Sequence, residues 1–361
     1  MYPGKQGQNF LNLIKIQNMR ILLSFLMVVS GILAQAQKSD GFLYLNKSLT
    51  ADNIKQVEAR TSGGGIEVKG VNPSEARIEV YVQQNGHHGS YSKDELDQLI
   101  KSDYELSVTT SGNKLTAIAR TKKHINNWTN QLSFSYRIYV PVRCGTNLNT
   151  SGGGISISNL EGEQKFSTSG GGLDLKSLSG TIDGHTSGGG ITIEDSKNNI
   201  DLETSGGGIE ASRCTGQIRL NTSGGSIELK NLNGNIRATT SGGSIDAEGI
   251  TGELVTHTSG GNIDLEAMKG SLEASTSGGN IDVELLETGK YVKLSNSGGN
   301  VHLAMPKGQG LNLDIHGDRV RTEGLSNFSG SMEKQSINGT LNGGGIPVDV
   351  HGGGGVTIAL K

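Results

Sequence analysis

One interval constrains this chain more than any other feature. The phrase Thr-Ser-Gly-Gly-[Gly/Ser/Asn]-[Ile/Leu] begins at Thr150, Thr168, Thr186, Thr204, Thr222, Thr240, Thr258 and Thr276, a strict period of 18 residues, and again at Asn296 after two inserted residues. An outlying copy begins at Thr61. A short, strict period makes each unit one structural turn that cannot bury its own apolar face and must stack on its neighbours. The core of such a chain is a column.

Counting the Thr as position 0, position 5 reads Ile155, Leu173, Ile191, Ile209, Ile227, Ile245, Ile263 and Ile281, and position 7 reads Ile157, Leu175, Ile193, Ala211, Leu229, Ala247, Leu265 and Val283. Polar residues alternate with them, as on a half-buried strand. A second apolar set follows half a turn later at Ile182, Ile200, Ile218, Ile236, Leu254 and Leu272, with Leu202, Leu220, Ala238 and Ala274 two residues on. Between the two strands lie a corner aliphatic (Leu160, Leu178, Leu232, Ile250 or Met268) and a Gly at 162, 180, 216, 234, 252 and 270, the residue that accepts positive φ most cheaply. The expected fold is all-β: a single-stranded parallel β-solenoid, or β-helix, with 18-residue turns and one short helical insertion. A left-handed hexapeptide helix needs an aliphatic residue every six, and position 11 (Glu161, Ser179, Lys197, Thr215, Asn233, Thr251, Lys269) denies it. The usual hand of parallel crossovers makes the coil right-handed.

The glycines do not spell a phosphate loop: no GxxxxGK[ST] occurs and no helical pattern follows any copy. The calcium-binding nonapeptide is also absent. The phrase reads as architecture, with Gly for tight corners and Thr and Ser stacked into hydroxyl ladders.

Gly is enriched (56 of 361) but Pro is scarce (5), and 32 basic residues nearly balance 35 acidic ones, so the chain is neither collagenous nor disordered and carries no electrostatic footprint for nucleic acid. Lys15 and Arg20, the apolar run from Ile21 to Leu33, and Ala34-Gln35-Ala36 together read as a secretory signal over 1–36, with Met1 or Met19 as its start. The destination is then the periplasm, the outer surface or the extracellular space. No other stretch approaches the length of a membrane-spanning helix.

The remaining chain divides into first solenoid turns over 37–145 carrying an insertion at 83–130, the regular repeats over 146–305, and irregular turns with a cap over 306–361. Within the insertion, Ser92-Lys93-Asp94-Glu95 is a capping box ahead of Leu96, Leu99 and Ile100, which predicts a short helix. Trp128, Tyr91, Tyr104, His87 and His88 make it the most site-like segment by composition, although aromatics beside a short helix ordinarily cover apolar surface. Near the other end Gly343-Gly344-Gly345-Ile346-Pro347-Val348 imitates a repeat with Pro in the strand, which predicts a closed-off sheet edge. Cys144 and Cys214 fall four turns apart in this register, too far for a disulfide, and Cys214 takes the place of the corner Leu.

The strand Phe134-Ser135-Tyr136-Arg137-Ile138-Tyr139-Val140-Pro141, leading into Leu148-Asn149-Thr150-Ser151-Gly152-Gly153-Gly154-Ile155 and then serial SGGxI turns, resembles the bacterial putative-adhesin β-solenoid domains, a family of unknown biochemical function. The resemblance covers roughly residues 45 to 305. It implies the fold and offers no catalytic motif. A non-catalytic, monomeric surface or envelope protein that binds a glycan, an envelope component or another protein is the first functional expectation. A carbohydrate-active enzyme, lyase or hydrolase, and a structural spacer are the alternatives. Uniformly short turns and eight scattered His, four of them at or beside turns (His185, His257, His316, His351), speak against the enzyme.

If positions 5 and 7 point inward, positions 4, 6 and 8 point outward, and oxygen ligands gather there: Ser244-Asp246-Glu248, Asn262-Asp264-Glu266 and Asn280-Asp282-Glu284 in three consecutive turns. The position-6 column extends back through Glu228 and Glu210, and Lys230 is the only basic residue at positions 4, 6 or 8 between Glu210 and Glu284. Such a face either stays solvated or takes up calcium weakly. No other cofactor is expected.

Overall fold

The computed structural model describes residues 41–85, 92–122 and 131–361. The expected signal segment 1–36, and His87, His88, Tyr91 and Trp128, lie outside the described residues. Those described form 29 β-strands, one α-helix and one short 3-10 helix.

Each regular repeat supplies two strands: four residues after the Gly cluster, as in Leu173–Lys176, and eight residues ending on the next repeat's Thr, as in Ser179–Thr186. Pairing is parallel and like lies on like. Glu161 sits beside Ser179 and Thr168 beside Thr186, and the next strand, Lys197–Thr204, continues the same register. The short strands do likewise, Leu173 beside Ile191 and Leu175 beside Ile193. The apolar columns read from the sequence, corner residues included, are all buried. Burying each Ile or Leu contributes roughly 1.5–3 kcal/mol, which the column repeats turn after turn.

The corners need left-handed backbone in two places. One is the turn glycine: Gly162, Gly180, Gly216, Gly234, Gly252 and Gly270 have φ between 114° and 142°, and the repeat lacking Gly there uses Asn198 at φ 84°. The other, three positions earlier, carries no sequence signature. Asn159, Ser177, Asp195, Arg213, Asn231, Gly249 and Ala267 all adopt φ between 52° and 69°. Asn tolerates this conformation, while Ala267 and Arg213 hold it at a cost of about 1–2 kcal/mol each, which stacking must offset.

The Thr-Ser-Gly-Gly phrase serves a different purpose from the one expected. Its glycines are not left-handed. They allow successive turns to approach: a Cβ on Gly171 would lie 2.1 Å from the Gly153 carbonyl oxygen, and one on Gly207 would lie 2.2 Å from that of Gly189. Nor do the Thr hydroxyls bond one another in a ladder. Thr168 Oγ1 donates to Gly153 O of the preceding turn at 2.7 Å and accepts from Gly171 N of its own turn at 3.3 Å. Thr186, Thr204, Thr222, Thr240, Thr258 and Thr276 repeat this clamp. In the last copy Asn296 replaces both halves, its Nδ2 donating to Gly279 O at 2.7 Å and its Oδ1 accepting from Gly299 N at 2.8 Å. Thr204→Val should therefore destabilise by about 1–2 kcal/mol, because a half-buried carbonyl and a half-buried amide lose their partner together, whereas Thr204→Asn should retain part of the clamp. Urea unfolding of both variants against the parent measures this.

At both ends the stacking order departs from the chain order. Ile66–Val71 lies between Leu132–Pro141 and Ile155–Ser158, and Gln56–Arg60 lies between Lys114–Thr121 and Gly145–Thr150. The segment 83–130 is thus only partly an insertion. It holds the helix Lys93–Asp103, with the expected Ser92/Glu95 capping box and with Leu96 and Ile100 buried. It also holds the antiparallel hairpin Tyr104–Ser111 with Lys114–Thr121, whose second strand is a rung of the stack. Outside this, Phe42–Ser48 and Arg77–Gln84 add antiparallel strands.

At the far end Ile346–Gly352 fits between Ile281–Asn296 and Leu311–His316, and Gly355–Leu360 fits between Val301–Met305 and Arg319–Glu323. Pro347 accordingly does not mark an outer edge. Pairing with Ile281–Asn296 starts one residue past it, at Val348, so its missing N–H leaves no gap in that ladder.

Candidate functional site

Two outward faces result from this stacking. On the face of the short strands, Asp246 stands beside Asp264 and Glu248 beside Glu266, and Asp264 stands beside Asp282. The column therefore forms as the alternation required. Glu284 departs from it: a register shift follows the Leu265–Val283 pair, and Glu284 Oε1 is held by Lys361 Nζ at 2.9 Å. Lys230 pairs with Glu228 in its own strand. Among the described residues no three His, Cys, Asp or Glu side chains converge as metal ligands, since the carboxylates project side by side.

Partial burial, then Glu228, pushes the Asp246 carboxyl above its ordinary range; burial, then Asp282, Asp246 and Glu266, pushes up Asp264. A carboxyl raised in the folded state binds its proton more readily there than in the unfolded chain. The column thus opposes folding at neutral pH, and the opposition fades as pH falls through the raised values. Asp195, lowered by Arg213, and Glu58, lowered chiefly by Lys114, act in the reverse sense and lose their contribution on acidification. An Asp246→Asn, Asp264→Asn variant should be more stable than the parent at pH 7, by up to about 1 kcal/mol given exposure to solvent, with the difference closing near pH 4. Chemical denaturation across that range reads it out.

The face of the long strands carries an open groove of about 490 Å³ that sequence reasoning did not single out. One row along it runs Thr181, Asn199, Gln217 and Asn235 in rung register, four uncharged residues, and ends on Glu253. The parallel row reads Asp183, Asp201, Arg219, Arg237 and Val255. Arg219 is committed to Asp201, and Glu253 accepts a hydrogen bond from Tyr291 Oη at 3.0 Å. Arg237 has no ion-pair partner among the described residues. The signal was present in the outward positions of the second strand, but those rows vary from turn to turn and showed no column of one chemical type.

Of the other residues singled out, Tyr104 is buried against Phe134, ring centroids 5.2 Å apart, and its hydroxyl accepts from Leu132 N at 2.7 Å, a packing role. Cys144 and Cys214 are free and buried. Burial pushes the Cys144 thiol up to about 12 and also raises Cys214, so neither is a ready thiolate. The histidines are less scattered than the sequence suggested: His257 Nδ1 is 2.8 Å from Ser275 Oγ, and His316 stacks on His351.

No protein-family model matches the chain, and no curated protein matches it. Among solved structures it is similar to a putative cell adhesion protein from Clostridium sporogenes, with 11% identity, a TM-score of 0.19, and 88% of this chain and 98% of that one covered. It is also similar to a putative adhesin from Bacteroides fragilis, with 13% identity, a TM-score of 0.25, and coverage of 72% and 95% respectively.

Proposed function

We propose that this chain is a non-catalytic, exported, monomeric adhesin-like protein, a right-handed β-solenoid that holds a glycan along the outward face of its longer strands. The observation that carries this reading is the row Thr181, Asn199, Gln217 and Asn235 on the groove wall. Amide side chains both donate and accept, and they meet the hydroxyls of a sugar without charge. Their repeat of about 4.8 Å presents one such group per rung to a chain lying along the stack. The neighbouring carboxylates of Asp201 and Glu253 are occupied by Arg219 and Tyr291, an arrangement for holding charge in place rather than for proton transfer. The basic and apolar segment before Ala36 supports export.

Glycan-array binding by the chain without residues 1–36, beside a polysaccharide-cleavage screen, tests the reading. Binding to a defined glycan that is lost in an Asn199→Ala, Gln217→Ala, Asn235→Ala variant is expected. Cleavage would make it the carbohydrate-active enzyme, and absence of any glycan binding would overturn the glycan reading and leave an envelope or protein ligand or the structural spacer. In this reading calcium is a weak counter-ion of the column Asp246, Asp264 and Asp282, with a surface or protein contact rather than a structural role; calorimetry showing no uptake at millimolar calcium removes it.

A further inference from the structure

Building on the glycan reading of the long-strand face, on which this inference rests, we propose that the glycan is acidic and that Lys55, Lys114 and Lys165 seat one of its carboxylate or sulfate groups. These lysines line a second open cavity of about 520 Å³ at the Lys114–Thr121 end of that face. The cavity continues the groove rung by rung. Lys114, Gln56 and Gly145 stand on successive rungs, Thr146 pairs with Gln164 of the next strand, and Lys165 lies beside Asp183, where the groove begins. A chain lying along the amide row therefore runs on into the cavity, one rung per ~4.8 Å. Gly145 brings no side chain between Gln56 and Glu163, and the cavity opens over that gap.

Charge sets this cavity apart. Lys114 Nζ is 2.7 Å from Glu58 Oε2, but Arg60 Nη2 is 2.9 Å from Glu58 Oε1, so one carboxylate serves two cations. Lys165 Nζ is 2.7 Å from Glu163 Oε1. Lys55 enters no ion pair among the described residues, although its backbone is fixed, N donating to Asn113 O at 2.7 Å and O accepting from Gly145 N at 2.9 Å. Four cations thus face two carboxylates, in a chain whose overall charge is −3. Neutral donors accompany them: Asn147 Oδ1 accepts from Asn149 Nδ2 at 3.0 Å, which leaves the Asn147 Nδ2 hydrogens for a ligand. Surplus positive charge beside amide donors favours an anionic group over a plain hydroxyl, and lysine, a flexible point charge, settles on a carboxylate or a sulfate alike. Asp183 closes the basic stretch on the next rung, so the anion seats at the cavity and the neutral amides meet the sugar beyond it. Further along the same row, past Asp201 and Arg219, Arg237 is the next cation without an ion-pair partner among the described residues and suits a second acidic group.

The test is an array in which linear uronate-bearing and sulfated glycans stand beside their carboxyl-reduced or desulfated counterparts, probed with the full chain at low and at raised salt. Binding to acidic members at least about 10-fold above the matched neutral ones, and weakened by salt, is expected. Whichever acidic class binds identifies the group that the lysines hold. Lys55→Ala and Lys165→Ala should each weaken acidic binding roughly 3- to 10-fold, Lys55→Arg should keep most of it, and Lys176→Ala, on the short-strand face, should leave it unchanged. Circular dichroism of each variant shows whether the strands remain. Equal binding of acidic and neutral counterparts, or acidic binding unaltered in the folded Lys55→Ala, Lys165→Ala double variant, overturns this proposal and leaves the glycan reading in place. No binding to any member overturns both.

Discussion

Ile227→Asp should abolish the cooperative fold of the repeats. Ile227 is 0% exposed and lies in the position-5 column between Ile209 and Ile245, its neighbours in register. The substitution removes aliphatic volume, at roughly 2–5 kcal/mol, and places a carboxylate where no donor or cation can reach it. A carboxyl in that position would sooner protonate or open the stack than stay charged. Because each turn rests only on its neighbours, the break should split the column rather than remain local. Hydrogen exchange is expected to show protection lost in turns on both sides of residue 227. Retained protection there, with an unfolding midpoint close to that of the parent, would refute the assigned core. Glu228→Ala, one residue along and facing outward, should leave the midpoint nearly unchanged.

Gly261→Ala and Gly260→Ala form the second test, with opposite outcomes from adjacent residues. A Cβ at position 261 would sit 2.1 Å from the carbonyl oxygen of Gly243, a backbone atom that cannot rotate away, so two rungs must separate and their ladder must break. A loss of about 3 kcal/mol or more is expected, in the upper range for overpacking. At Gly260 the nearest atom would be 3.5 Å away, an ordinary contact, and the cost should be within about 1 kcal/mol. Thermal unfolding of both variants distinguishes close rung approach from a conformational need for glycine, which would make the two substitutions similarly damaging.

The columns were legible because a strict period turns each inward position into a row of like residues: once Ile155, Leu173 and Ile191 fall at one place, burial follows from stacking alone. The corner glycines such as Gly180 were legible for the same reason. The second left-handed position was not, since Ser177, Asp195, Arg213 and Ala267 have no common side-chain chemistry and the conformation is imposed by the turns above and below. The roles of Thr168 and Gly171 were misjudged because periodicity says which residues are neighbours and not which of their atoms bond. Ser295, His351 and His316 come together in successive strands only where the chain leaves its period, so no fixed interval could relate them. The groove row Asn199, Gln217 and Asn235 was in plain sight as outward residues, but mixed amides and charges give no contrast against an ordinary solvated face.

The exchange of order at the two ends changes how the molecule can come apart. A simple stack ends in a free tail, and the outermost rung gains the full freedom of a loose chain when it lifts off. Here Ile346–Gly352 and Gly355–Leu360, later in the chain than Leu311–Leu341, are inner rungs, with Lys361 N bonded to Met305 O and its carbonyl accepting from Lys307 N, both at 2.9 Å. What lies beyond them, from Leu311 to Leu341, is tethered on both sides and can detach only as a closed loop. The opposite end differs: Phe42–Ser48 pairs only with Arg77–Gln84 and is the outermost strand there, beyond Leu132–Pro141. A loop gains less entropy on release than a tail does. The end of the column that holds Leu311–Leu341 is thereby latched, and its outer strands come away together or not at all.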